Sequence, residues 1–297
     1  MENLFKGVGT ALITPFQAGG DIDFASLEQI VADQLRENID FLCVLGSTAE
    51  TPCLSQTEKL EVKNFVVDVV KGQVPILLGM GGNNTRNLVE SLQTFDMRGV
   101  DGILSVCPYY NKPSQEGIYL HFREVSKATK LPIVVYNVPG RTGTNMAAQT
   151  TLRINRDLPN VVAIKEASAK MNQIEEVLNG KTAGFDVLSG DDSLALELIA
   201  MGATGVISVI ANALPGLYGS LVHEALHGNY AAALNVQEQL KETYRLLSVD
   251  GNPSGIKSLM ALQGRCENEL RLPLVPARRD TQQALKRQWE KLIGVKH

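Results

Sequence analysis

Apolar residues in this chain gather into short runs separated by longer amphipathic stretches. The runs stand at Thr10–Ile13, Phe41–Leu45, Ile76–Leu78, Gly102–Val106, Ile133–Tyr136, Val161–Ile164, Phe185–Leu188 and Gly205–Val209. Short continuous runs of this kind suit strands buried on both faces. Between them, Phe24–Arg36, Thr57–Val70, Asn87–Met97 and Glu116–Ala128 space their apolar residues at helical intervals. Alternating strand and helix patterns predict a parallel sheet.

Internal echoes sharpen that expectation. The segment Gly99-Val100-Asp101-Gly102-Ile103-Leu104-Ser105-Val106 is closely matched by Gly202-Ala203-Thr204-Gly205-Val206-Ile207-Ser208-Val209. Val74-Pro75-Ile76, Leu131-Pro132-Ile133 and the looser Leu158-Pro159-Asn160-Val161 each enter a run through proline, which a strand tolerates at its first residue. Eight such units predict an α/β protein folded as a (β/α)8 TIM barrel. A doubly wound open sheet would show a glycine-rich dinucleotide loop after an early strand, and this chain has none. Helical patterns continue over 229–247, 254–263 and 281–293, broken at Asp250-Gly251-Asn252-Pro253. The expected organisation is therefore a barrel over residues 1–228 and a small C-terminal helical appendage over 229–297.

Composition narrows the function classes. Of 297 residues, 44% are hydrophobic and 20% charged, and the net charge is −4, as expected of a soluble globular protein. Neither a basic patch for nucleic acid nor an apolar run of the ~18 residues a membrane helix needs is present. The opening Met1-Glu2-Asn3-Leu4-Phe5-Lys6 lacks the basic-then-apolar build of a signal peptide. Cys43, Cys53, Cys107 and Cys266 form no CxxC pair, so reduced thiols and a cytoplasmic location are expected.

Chemistry collects at the C-terminal ends of barrel strands. The run Val161-Val162-Ala163-Ile164 leads straight into Lys165. A lysine there either reaches past its own stem to solvent or serves as a desolvated amine able to form a Schiff base. The other strand ends offer Gly46-Ser47-Thr48-Ala49-Glu50, Cys107-Pro108-Tyr109-Tyr110-Asn111, Tyr136-Asn137-Val138-Pro139-Gly140-Arg141-Thr142, Ser189-Gly190-Asp191-Asp192 and Ile207-Ser208. Each has an ordinary reading: a rim tyrosine, a helix cap, a solvated arginine. Asp191-Asp192 is expected to cap the following helix. Together, an amine, phenols and hydroxyls around one mouth supply what amine-catalysed carbonyl chemistry needs. His223-Glu224-Ala225-Leu226-His227 matches a zinc-protease pattern, but it falls on the outer helix after the eighth strand. Tyr230 and Ala233 also occupy the places of the longer motif's glycine and third histidine. No metal site is expected there.

These motifs, in this order, resemble the dihydrodipicolinate synthase family within the pyruvate-dependent class I aldolases, which also hold N-acetylneuraminate lyase. The resemblance spans essentially the whole chain and adds Asn252-Pro253-Ser254-Gly255-Ile256-Lys257. It implies a synthase condensing pyruvate with L-aspartate 4-semialdehyde to 4-hydroxy-tetrahydrodipicolinate, the first committed step towards diaminopimelate and lysine. Lys165 would form the imine without any cofactor, and Tyr136 would shuttle protons. Thr48 would link Tyr136 to Tyr110, which the family delivers from a neighbouring subunit of a homo-oligomer, a tetramer built as a dimer of dimers. Ser47 and Thr48, with main chain near Gly190 and Ile207, would hold pyruvate's carboxylate. Arg141 would hold that of the semialdehyde, the feature that separates this reading from a sugar-acid lyase. A catalytically inactive binding protein is the alternative from another class, and the retained lysine, tyrosines and arginine argue against it.

Two departures from the family pattern stand out. The loop usually reads Gly-Thr-Thr-Gly-Glu, and Ala49 replaces the second glycine; alanine fits unless that position needs positive φ. The lysine-inhibition pocket of the family maps to Thr51, Gln56, Lys59, Asn83, Asn87 and Tyr109. Gln56 and Lys59 stand for histidines and Asn87 for a glutamate. Losing an acid and gaining an ammonium disfavours a cationic ligand, so weak or absent lysine inhibition is expected.

Overall fold

The computed structural model describes residues 4–294; residues 1–3 of the opening segment, and 295–297 of the C-terminal region, lie outside the described residues. Eight parallel strands close in sequence order into one barrel. They are β1 (Gly7–Ala11), β2 (Phe41–Val44), β3 (Ile76–Gly79), β4 (Gly102–Val106), β5 (Ile133–Asn137), β6 (Val161–Glu166), β7 (Asp186–Ser189) and β8 (Gly205–Ser208). The helices of the barrel are α1 (Phe24–Arg36), α2 (Gln56–Val70), α3 (Thr85–Thr94), α4 (Gln115–Ala128), the short α5 (Pro139–Thr142) at the mouth after β5, α6 (Ala148–Asp157), α7 (Met171–Gly180), α8 (Ala195–Ala200) and α9 (Pro215–Leu226). After them come α10 (Tyr230–Val249), α11 (Ser254–Leu262) and α12 (Arg279–Leu292). The expected division between 228 and 229 runs through the connection from α9 to α10.

Strand residues alternate between two cores. Phe41, Cys43, Leu77, Leu104, Val134, Ala163, Leu188 and Ile207 fill the barrel interior. Val44, Leu78, Ile103, Ile133, Val135, Ile164 and Val187 face the helices. This is why the strands read as continuous apolar runs, because each face meets a different apolar layer. The helices start where polar side chains take up free backbone N–H groups. Ser55 and Glu58 form a reciprocal capping box on α2, and Asn84 and Ser114 cap α3 and α4.

Two boundaries differ from the sequence expectation by three residues. The first strand was expected over Thr10–Ile13 but occupies Gly7–Ala11. Gly9 carries no apolar signal, yet a Cβ there would lie 2.1 Å from the Phe41 ring, so only glycine admits β2 this closely. Past Ala11 the chain is held by a side chain instead: Ile13 N–H donates to Asn212 Oδ1, and Asn212 Nδ2 donates to the Ala11 carbonyl. Likewise α3 ends at Thr94, not Met97, because Phe95 turns to extended geometry with ψ 138.

Candidate active site

Lys165 lies inside β6, not beyond it, with 6% of its surface exposed. Its inward direction depends on a register shift: Val161 pairs with Ile133 and Ala163 with Val134, leaving Val162 as a bulge. Val161 and Ile164 thereby serve the outer core while Ala163 belongs to the interior, and Lys165 follows Ala163 on the period-two face. Tyr136 is its direct neighbour across β5 and β6, and the Lys165 ammonium nitrogen stands 4.3 Å from the centre of the Tyr136 ring.

The next residue pair locks this geometry from outside the barrel. Asn137 Nδ2 donates to both carboxylate oxygens of Glu166, at 3.2 and 3.1 Å, and Ser168 N–H donates to Glu166 at 2.7 Å. Burial raises the Glu166 pKa, while its bonds from Ser168 and Asn137 oppose the shift. Below the lysine, Cys43 is fully buried and burial pushes its thiol up to about 11; Cys107, beside Glu166, is pushed up to about 12. Neither thiol is a nucleophile at neutral pH. All four cysteines are free.

Ser47, Thr48 and Ala49 form a single 3-10 turn after β2. Leu45 (φ 58) and Glu50 (φ 54) flank it in the left-handed region, whereas Ala49 does not enter that region. Alanine is therefore unstrained where the family has glycine. Thr51 Oγ1 donates to the Gly46 carbonyl and Thr14 Oγ1 to that of Ala49, each at 2.8 Å. Ser47 is exposed at the mouth while Thr48 is 3% exposed.

Opposite the turn, α5 carries Arg141, whose Nη2 donates to the Asn252 carbonyl at 3.1 Å. Asn252 Nδ2 in turn donates to Thr48 Oγ1 at 2.9 Å. Nothing in the sequence assigned Asn252 a role; only its place in the Asn252–Lys257 motif marked it. Gly190 approaches Lys165 so closely that a Cβ there would lie 3.1 Å from the lysine Cε and 2.7 Å from the Ala167 Cβ. The Asp-Asp pair divides its labour. Asp191 caps the next turn through Ser193 N–H at 2.9 Å, as expected, whereas the half-buried Asp192 accepts at Oδ2 from Val209 and Ile210 N–H at 3.0 and 2.8 Å. It fixes the chain leaving β8, and its pKa is raised by burial.

These groups share one cleft of about 1000 Å³, with Ser47, Thr48, Tyr136, Arg141, Lys165 and Gly190 among its lining residues. Ile207 stands inside the barrel beneath it, 1% exposed, and does not line the cleft. Tyr110 is not brought to the cleft of its own chain: it is 87% exposed, with φ 72. A second cleft of about 240 Å³ gathers Thr51, Gln56, Lys59, Asn83 and Asn87. The Tyr109 carbonyl accepts from Asn83 Nδ2 at 3.1 Å at its edge. His223 lies far from both clefts. Its Nε2 bonds Asp40 Oδ2 at 2.7 Å, and the same oxygen accepts from Val8 N–H at the N-terminal end of the barrel. His223 is thus committed to a protein partner. Among the described residues no cluster of three or more His, Cys, Asp or Glu side chains is placed to hold a metal. Among the same residues no helix is long and apolar enough to cross a membrane.

A barrel that buries a lysine amine beside a phenol, under an arginine-bearing mouth, is built for carbonyl chemistry through an enzyme-bound amine. The model of the dihydrodipicolinate synthetase family matches residues 4–292. The chain belongs to that family. It is 51% identical to the 4-hydroxy-tetrahydrodipicolinate synthase of Phocaeicola vulgatus over 94% of each chain. Identity to the enzyme of the same name from Parabacteroides distasonis is 52%, over 92% of each. The crystal structure of the dihydrodipicolinate synthase of Thermotoga maritima superposes with a TM-score of 0.95 at 39% identity, covering 99% of this chain and 100% of that one.

Proposed function

We propose that this chain condenses pyruvate with L-aspartate 4-semialdehyde to 4-hydroxy-tetrahydrodipicolinate, as the synthases named above do, at the entry to diaminopimelate and lysine formation. The observation that carries this reading is the Lys165 amine at the floor of the cleft, 4.3 Å from the Tyr136 ring centre. In the proposed course, Lys165 attacks the carbonyl carbon of pyruvate and expels water as an imine. Loss of a methyl proton converts the imine to an enamine, whose carbon attacks the aldehyde. The semialdehyde's own amine then closes the ring and displaces Lys165. The lysine itself is the covalent carrier, and no cofactor enters.

Tyr136 serves as the proton shuttle and Thr48 as the hydroxyl that links it onward. Ser47 and Thr48, with main chain at Gly190, hold the pyruvate carboxylate. Arg141 offers paired N–H donors to a second carboxylate. Tyr110 completes the relay from a neighbouring subunit, which its outward position in a single chain favours, so the working form is at least a dimer and, on the family pattern, a tetramer. The cytoplasm is the compartment that four free cysteines suit best. Lysine inhibits weakly or not at all, because Lys59 faces the second cleft where a cation would have to bind.

The test is acceptor choice. Purified protein should consume pyruvate with aspartate 4-semialdehyde and not with an N-acetylated amino sugar, and Arg141→Ala should raise KM for the semialdehyde far more than for pyruvate. Turnover with the sugar and none with the semialdehyde would overturn the assignment.

A further inference from the structure

Thr48 carries one hydroxyl proton and two lone pairs. Among the described residues its hydroxyl makes one hydrogen bond, and in it Thr48 Oγ1 is the acceptor, with Asn252 Nδ2 donating at 2.9 Å. A hydroxyl that accepts on one side keeps its proton free for donation on the other. The other side here is the cleft, which both Thr48 and Tyr136 line. The carboxamide that imposes this arrangement is anchored in the same wall. The Asn252 carbonyl accepts from Arg141 Nη2 at 3.1 Å, and its side-chain Oδ1 is buried with no partner. An orphaned buried acceptor costs free energy. If the carboxamide were rotated, Oδ1 would be satisfied by taking the Thr48 proton, and that proton would leave the cleft.

The segment bearing Asn252 is itself pinned to the substrate turn. Lys257 Nζ on α11 donates to Glu50 Oε1 at 2.5 Å, and Arg271 N–H donates to Glu50 Oε2 at 2.9 Å. Glu50 directly follows the turn that presents Thr48. The C-terminal helices thus hold both the turn and the amide that polarises its hydroxyl.

From these contacts we infer that Asn252 is a positioning residue that sets the direction of proton transfer through Thr48, donating so that the threonine's own proton points into the cleft. Its backbone carbonyl holds Arg141 in the same stroke, tying the acceptor-binding arginine to the relay. This rests on the proposed role of Thr48 as the linking hydroxyl.

The experiment compares Asn252→Asp with Asn252→Ala, each assayed at saturating pyruvate and semialdehyde, alongside Thr48→Val. Deuterium exchange into the pyruvate methyl group is followed by NMR as a readout of enamine formation, and melting temperature is followed in parallel. An aspartate is nearly isosteric, keeps the side chain's volume and accepts the Thr48 proton; an alanine removes the donor but leaves that proton free. Relay polarity therefore predicts that Asn252→Asp lowers kcat and methyl exchange by about 10²-fold, and that Asn252→Ala lowers them less. A role limited to packing predicts the reverse order, with the isosteric variant the milder. That reverse order, or equal rates in both variants, would overturn the inference. Full activity in Thr48→Val would instead remove the relay reading beneath it.

Discussion

The most exacting consequence for stability concerns Lys257→Met. Lys257 and Glu50 are both 0% exposed and face each other at 2.5 Å. Neither charge stands alone in the native fold. The ammonium also donates to the Glu269 carbonyl at 2.9 Å and lies 4.1 Å from the centre of the Phe16 ring. Burial lowers the pKa of Lys257, and the adjacent Glu50 works against that shift. Removing the lysine leaves a carboxylate in a dry site with only Arg271 N–H to satisfy it, a loss of about 3–5 kcal/mol. Removing both charges in Glu50→Gln/Lys257→Met strands neither, so the double variant should lose clearly less than the sum of the singles, with a coupling of roughly 2 kcal/mol or more. Urea unfolding at one fixed protein concentration measures the four corners of the cycle. Because Glu50 follows the Ser47–Ala49 turn, Lys257→Met should also raise KM for pyruvate. A single-variant loss below about 1 kcal/mol, or strict additivity, would refute the reasoning.

Three further outcomes follow from other parts of the molecule. The bond to Asp40 raises the His223 pKa, so the pair contributes stability that is fully present below the unfolded histidine value of about 6.5 and is lost as pH rises through the raised native value. Both side chains are about a third exposed, at 35% and 36%, so the contribution is less than about 1 kcal/mol. His223→Gln should flatten that part of the denaturation midpoint's pH profile, and an unchanged profile would discount the pair. Gly190→Ala places a Cβ 3.1 Å from the Lys165 Cε; it should slow borohydride-trappable imine formation by about tenfold or more, and a wild-type trapping rate would show that the lysine stem has room to move. Lysine should leave initial rates nearly unchanged at millimolar concentration, and a sub-millimolar inhibition constant would contradict the reading of Lys59 and Asn87.

Most of the fold was legible because each strand serves two apolar layers and so writes itself as an unbroken run. β1 was misplaced by the same logic. Gly7 and Gly9 carry its close contacts without any side chain to signal them, while Leu12 and Ile13 advertise a strand that Asn212 has already ended. Lys165 stood out because a charge after four apolar residues needs explaining. The bulge at Val162 that turns it inward leaves no such trace, since Val161 and Val162 read alike and only the pairing with β5 separates them. Asn252 and Asp192 were equally silent as functional groups. Asn252 acts across 204 positions on Thr48, and Asp192 reaches the backbone after β8; contacts of that range are properties of the closed barrel and not of any local pattern. The family resemblance implied roles for Tyr110 and Arg141 that the residues alone left open.

The central claim is that Lys165 is the amine that carries pyruvate. Incubating the protein with pyruvate and borohydride, then mapping the modified peptide by mass spectrometry, tests it most directly. A single reduced pyruvate adduct is expected, located on Lys165 and absent from Lys165→Ala. An unmodified Lys165, or an adduct of equal yield in the alanine variant, would contradict it.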